Sequence, residues 1–138
     1  MPGSYLIDVT RGIVFTRAWG AVTDGEILAH AAALRADTRF DSGLRQIADF
    51  RELTELRVTH AGVSSLARAN PYDRRARRAF VVPSGEAFGV VRMFGLYADT
   101  DDEQFRIFHE IGPAMEWIGL EPGEPWPSQP PDATFEGP

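Results

Sequence analysis

The chain has 138 residues, 43% hydrophobic and 25% charged, which suits one ordinary globular domain that buries a single core. Its formal net charge of −6 disfavours general nucleic-acid binding, and all 14 basic residues are arginine, which excludes Schiff-base and phosphate-loop lysines. There is no cysteine, so disulfides, thiolate metal sites and cysteine nucleophiles are excluded together.

Two apolar runs, Tyr5 to Val9 and Ile13 to Trp19, flank the tight connection Thr10-Arg11-Gly12 and predict an antiparallel hairpin. Met1-Pro2-Gly3-Ser4 leads directly into the first run without the basic and apolar regions of a signal peptide. No apolar stretch approaches membrane-spanning length, so the expectation is a cytoplasmic protein with no integral membrane contact. Thr23-Asp24-Gly25-Glu26 reads as a capping box opening a helix through Leu34, with Ile27, Leu28, Ala31 and Leu34 on one face. Asp41-Ser42-Gly43 then turns into a strand from Leu44 to Phe50.

A second helix starts near Thr59 and stops before Asn70-Pro71, with Val63, Leu66 and Ala67 inward. Ala79 to Val82 is a short, wholly apolar strand of the kind buried on both faces. Pro83-Ser84-Gly85 leads to a third helix with Phe88, Val91, Met93 and Phe94 inward. Phe105 to Phe108 is the last strand, and Gly112-Pro113 opens a short helix that Gly119 closes. The alternation predicts an α/β fold: one domain over 1–120, with a five-stranded mixed sheet and four main helices. Residues 121–138 hold six of the ten prolines and four of the acidic residues. They predict a Pro-rich acidic tail, neither helix nor central strand, with Trp126 and Phe135 as anchors on its own domain or on a neighbour.

In open α/β sheets, ligands sit beyond the carboxyl ends of the strands. That rule selects a pocket lined by Asp49, Arg51, Ser84, His109 and Glu110, with Arg92 as a further polar contact; the alternative is that Asp49 and Arg51 pair and tie down a loop. None of His30, His60 and His109 has a partner at zinc-site spacing, and His30 is expected on an exposed helix face. Asp99 to Glu103 lacks a spaced calcium loop. No metal, cofactor or catalytic set is therefore assigned. There is no Gly-x-Ser-x-Gly elbow, and no Gly-x-Gly-x-x-Gly follows a strand. Arg74, Arg75, Arg77 and Arg78 form the sharpest charge cluster. It reads first as a solvated loop and second as an anion or partner patch.

The order of elements and several local sequences together resemble the SpoIIAA-like family, small bacterial STAS-type proteins related in shape to CRAL-TRIO lipid-binding domains. The resemblance is carried by the hairpin, by Asp37-Thr38-Arg39-Phe40-Asp41 and by Ala48-Asp49-Phe50-Arg51-Glu52-Leu53. Further along it rests on Ala87 to Phe94 and on Phe108 to Leu120 with its Ala114, Trp117 and Gly119; it spans about residues 5–120. It implies a STAS-like sandwich that is not an enzyme by default. In anti-anti-sigma relatives a serine at the start of the second helix, in an Asp-Ser-Ser-Gly context, is phosphorylated. The matching position lies near Thr59, where that pattern is absent and an N-cap role suffices; a regulatory site there is the second reading, since phosphate suits a helix N-terminus. The resemblance implies first a non-catalytic binding or regulatory module acting through protein–protein contact on the second helix, as a possible homodimer. An alternative is a carrier of a small apolar or amphiphilic ligand lined by Phe88, Met93, Phe94 and Tyr97. An enzyme using Asp49, His109 or Glu110 ranks last. An apolar pocket larger than a packing defect would favour the carrier, and an exposed apolar patch around Val63 and Leu66 the interaction module.

Overall fold

The computed structural model describes residues 3–83, 85–98, 100–127, 131 and 133–135, with the backbone alone for 102 and 133–135. The first hairpin pairs β1 (Gly3–Asp8) with β2 (Ile13–Thr23) in antiparallel register, Tyr5 opposite Thr16 and Ile7 opposite Val14. There follow α1 (Asp24–Ala36), β3 (Arg45–Arg57), α2 (His60–Arg68), β4 (Arg78–Val81), α3 (Glu86–Tyr97), β5 (Phe105–Phe108) and α4 (Ile111–Ile118). A sixth strand, β6 (Ala133–Phe135), adds to the five expected ones, and the sheet order is β5-β4-β3-β2-β1-β6.

Local chemistry starts and stops these elements largely as expected. The Thr23–Glu26 capping box opens α1, with the Thr23 amide donating to Glu26 Oε1 at 3.0 Å. Thr59 caps α2 by accepting the Gly62 amide at 3.0 Å. Glu110 is the N-cap of α4, so Pro113 falls at the third helical position rather than the first; its missing N–H is still one the helix would not have used. Gly119 ends α4 at φ 103°, a left-handed conformation that suits glycine.

From β2 to β5 the strands are parallel and each crossover steps the same way across the sheet. Crossovers of one hand stepping one way place their helices on one face. Accordingly, Leu34 of α1 packs with Val14, while Val63 of α2 and Val91 and Phe94 of α3 pack with Ala48 and Phe80. The opposite face belongs to α4, whose Ala114, Met115 and Ile118 meet Ile13, Phe15, Ile47, Ala79 and Val81. β4 is buried at all four positions because helices cover both its sides.

Two strands run well past their expected ends. β3 continues beyond Phe50 to Arg57 and β2 beyond Trp19 to Thr23, pairing with each other. Register shifts between Arg17 and Trp19, and again between Gly20 and Ala21, each leave one extra residue on β3. Phe50, Leu53 and Leu56, spaced by three rather than two, therefore all join Ala18 and Val22 on the face that α1 packs through Ile27.

The tail turns back onto its own domain. Trp126 meets Phe15 edge-on at 5.3 Å, Glu124 bonds Arg11, and β6 pairs with β1 at Gly3–Tyr5. β6 lies at the sheet edge, the position where a proline-rich neighbourhood is tolerated.

Candidate functional site

The helix-covered sheet face does not close completely. Between it and α1, α2 and α3 lies a cavity of about 130 Å³, almost wholly apolar. Its walls include Leu34 from α1, Leu53 and Leu56 from the β3 extension, Val63 and Leu66 from α2, and Val91 and Phe94 from α3. The bulges of β3 create this wall, since strict alternation would turn either Leu53 or Phe50 away from it.

One polar line crosses the cavity floor. Thr16, Gln46 and Arg78 occupy helix-facing positions on β2, β3 and β4, and all are buried. Gln46 donates to Thr16 Oγ1 at 3.0 Å and accepts from Arg78 Nε at 2.9 Å; the two residues stand opposite in the β3–β4 register. Asn70, in the loop after α2, accepts from Arg78 Nη1 at 3.0 Å and from the Tyr72 amide at 3.2 Å. That clamp holds the Tyr72 ring 4.2 Å from the guanidinium carbon, with Phe80, Phe94 and Phe105 between 5.3 and 5.9 Å. Burial pulls the Arg78 pKa down to about 10, so it stays a cation at neutral pH. Burial also pushes the Tyr72 hydroxyl upward, so it stays protonated.

Three expectations change here. Arg78 is not part of a solvated loop: it is 5% exposed within β4, while Arg74, Arg75 and Arg77 are exposed. Arg77 stacks 4.8 Å from the Trp117 ring and donates to the Trp117 carbonyl at 3.0 Å. His30 does not sit on an exposed face. Its ring lies edge-on to Tyr5 at 5.5 Å and lines the cavity, and burial holds its pKa down to about 4. Of Phe88, Met93, Phe94 and Tyr97, Phe94 lines the cavity; Phe88 stacks on His109, and Tyr97 is half exposed beside His60.

The residues expected at the strand ends do not line the cavity. Asp49 is buried on the α4 side of β3 and accepts from Arg51 Nε and Nη2, both at 2.9 Å, which raises the Arg51 pKa. The pair lies within the extended strand, not in a loop. His109 Nδ1 lies 3.2 Å from the Val82 carbonyl oxygen, Glu110 occupies the N-cap position of α4 without a side-chain capping bond, and Arg92 is exposed on α3; Ser84 lies outside the described residues. The reason is topological. With three helices on one face and no reversal between the parallel strands, the strand order has no switch point at which a crevice at their carboxyl ends is expected.

The cavity did leave a trace in the sequence. Val14-x-Thr16-x-Ala18, Gln46-x-Ala48-x-Phe50 and Arg78-x-Phe80-x-Val82 each carry one polar residue at the helix-facing parity of an apolar strand. Among the described residues no group of three His, Asp or Glu side chains could hold a metal ion, and no helix is long and apolar enough to cross a membrane.

No protein-family model matches the chain, and no curated protein matches it. Among solved structures it is similar to an uncharacterized protein of the DUF3478 family with a SpoIIAA-like fold from Shewanella loihica PV-4. The match has a TM-score of 0.50 at 13% identity and covers 77% of this chain and 83% of that one. The chain therefore has a SpoIIAA-like fold, as its resemblance implied.

Proposed function

We propose that this SpoIIAA-like domain is a non-catalytic binding module that holds a small apolar or amphiphilic molecule between its sheet and α1–α3. The cavity is the observation that carries the reading. Apolar cavities of about 150 Å³ take up benzene-sized guests, so about 130 Å³ suits one ring or a short branched chain and not a long acyl chain. Val63 and Leu66, the centre of the expected protein-contact patch, are turned into this wall.

Amide NMR of the full chain titrated with benzyl alcohol tests the proposal. Shifts confined to Ala31, Val63, Phe80, Phe94 and their neighbours are expected, and native mass spectrometry of fresh protein should show an adduct that denaturation removes. An unchanged spectrum at millimolar probe would end this reading.

A second reading, a protein-contact module, has support from Leu96 and Tyr97, which are 70% and 46% exposed near the start of α2. It predicts a concentration-dependent mass in light scattering that Leu96→Asp abolishes. A strict monomer before and after the substitution counts against self-association through this surface.

A further inference from the structure

A pocket for a purely apolar guest has no use for a cation in its floor. β4 is otherwise Ala79-Phe80-Val81, and an aliphatic residue at 78 would satisfy the packing. Arginine places five N–H donors there. Nε is bonded to Gln46 and Nη1 to Asn70, both neutral amides, and Nη2 makes no hydrogen bond among the described residues. The surrounding rings offer attraction to the cation but no lone pair along its N–H bonds. The buried carboxylate, Asp49, lies on the other face of the sheet and is already bonded to Arg51. Buried charges are ordinarily paired, and this one has no counter-ion among the described residues.

An independent observation points the same way. The Tyr72 hydroxyl is fully buried, its residue lines the same wall, and it has no hydrogen-bond partner among the described residues. Its ring lies on the guanidinium, so this residue belongs to the Arg78 end of the cavity.

We infer that the Arg78 end of the cavity is a seat for the carboxylate of a small amphiphilic monoanion, bonded by Arg78 Nη2 and by the Tyr72 hydroxyl. The apolar part of the guest then lies toward Val63, Val91 and Leu34. This deepens, and rests on, the ligand-cavity reading. Charge sets the class. At the cavity floor Arg78 supplies one positive charge, and burial keeps His30 neutral above about pH 4. A monoanion is balanced there, whereas a dianion such as phosphate would bury a net negative charge. A carboxylate oxygen also makes the short, charge-assisted bond that a guanidinium N–H favours.

The test is calorimetric titration of the full chain at pH 7.5 with benzoate, benzyl alcohol and benzylammonium. Benzoate should bind roughly ten- to a hundredfold tighter than benzyl alcohol, the range of a charge-assisted hydrogen bond, and benzylammonium should not bind. Arg78→Met should erase the preference for benzoate while keeping benzyl alcohol within about threefold, which shows that the cavity remains intact. Tyr72→Phe should weaken benzoate severalfold and spare the alcohol; this variant decides the matter if Arg78→Met does not fold. Equal binding of benzoate and benzyl alcohol by the native chain overturns the carboxylate seat but leaves an apolar pocket. Binding of none of the three overturns the pocket itself.

Discussion

The Asp24 carboxylate on α1 fills the space that a side chain at Gly62 on α2 would need: a Cβ there would lie 1.9 Å from Asp24 Oδ1. The same carboxylate accepts the Thr59 amide at 2.9 Å and the Thr59 hydroxyl at 2.6 Å. One negative charge thus joins two helix N-termini, where it is favoured by both dipoles. Gly62→Ala should cost about 1–3 kcal/mol through forced displacement of this joint. Adding Asp24→Ala to that variant should cost less than Asp24→Ala does alone, because it also removes the clash that the new methyl group creates. Urea denaturation of the four proteins gives the coupling, and strict additivity would contradict the geometry.

Acid should weaken the fold through His30. Its folded pKa, about 4, lies below the ordinary 6.5 because burial opposes the charged ring. The unfolded chain then takes up the proton first. The stability associated with the neutral ring is complete above about pH 6.5 and is lost as the pH falls toward 4. By pH 5 the loss should be roughly 2 kcal/mol. Asp37, held down to about 2 chiefly by the Arg39 side chain, titrates below this window. His30→Phe keeps an aromatic ring against Tyr5 and should flatten the difference between urea midpoints at pH 7.5 and pH 5. A variant as pH-sensitive as the native chain would assign the effect elsewhere.

Arg51 and Arg92 should separate cleanly. Asp49 is 4% exposed and bonded by Arg51, whose side chain is 46% exposed, so Arg51→Ala leaves a buried carboxylate short of donors. A loss of about 1–2 kcal/mol is expected, with solvent screening at the arginine limiting it. Arg92→Ala, on the exposed face of α3, should stay within about 0.5 kcal/mol. Neither change should alter benzyl alcohol binding, since neither residue lines the cavity. Weaker probe binding in either variant, followed by NMR, would place the site at the strand ends after all.

Filling the cavity should exchange binding for stability. Ala31 is buried in its wall, and Ala31→Leu adds three carbons directed at the void. The ligand-free protein should gain about 1 kcal/mol in thermal unfolding. The benzyl alcohol response should vanish in the same variant. Retained binding with no gain in stability would mean that the guest sits somewhere else.

Much of this architecture was legible because it depends on short-range rules. The Thr23 and Thr59 caps, the hairpin at Arg11-Gly12 and the doubly buried β4 each follow from a few neighbouring residues. The far half of β3 was not legible. Phe50, Leu53 and Leu56 break the two-residue period, and a strand absorbs that spacing only through bulges whose partner is β2, some thirty residues earlier in the chain. The tail was legible as non-helical, but the seat of Trp126 on Phe15 depends on a distant strand.

The candidate site shows the same division. Taken by itself, Arg78 closes a run of four arginines within five residues, and such a run reads as solvated. Burial followed from two long-range facts: Gln46 stands opposite it, and α3 brings Phe94 over it. By itself the sequence determined the element types and their order from β1 to α4, and the absence of lysine and cysteine chemistry, because propensity, capping and composition act locally. The tertiary structure decided that three helices share one face, that a cavity remains beneath them, and that one arginine stands in it without a counter-ion among the described residues. Packing, register and desolvation are properties of residues brought together from across the chain, so no local pattern carries them.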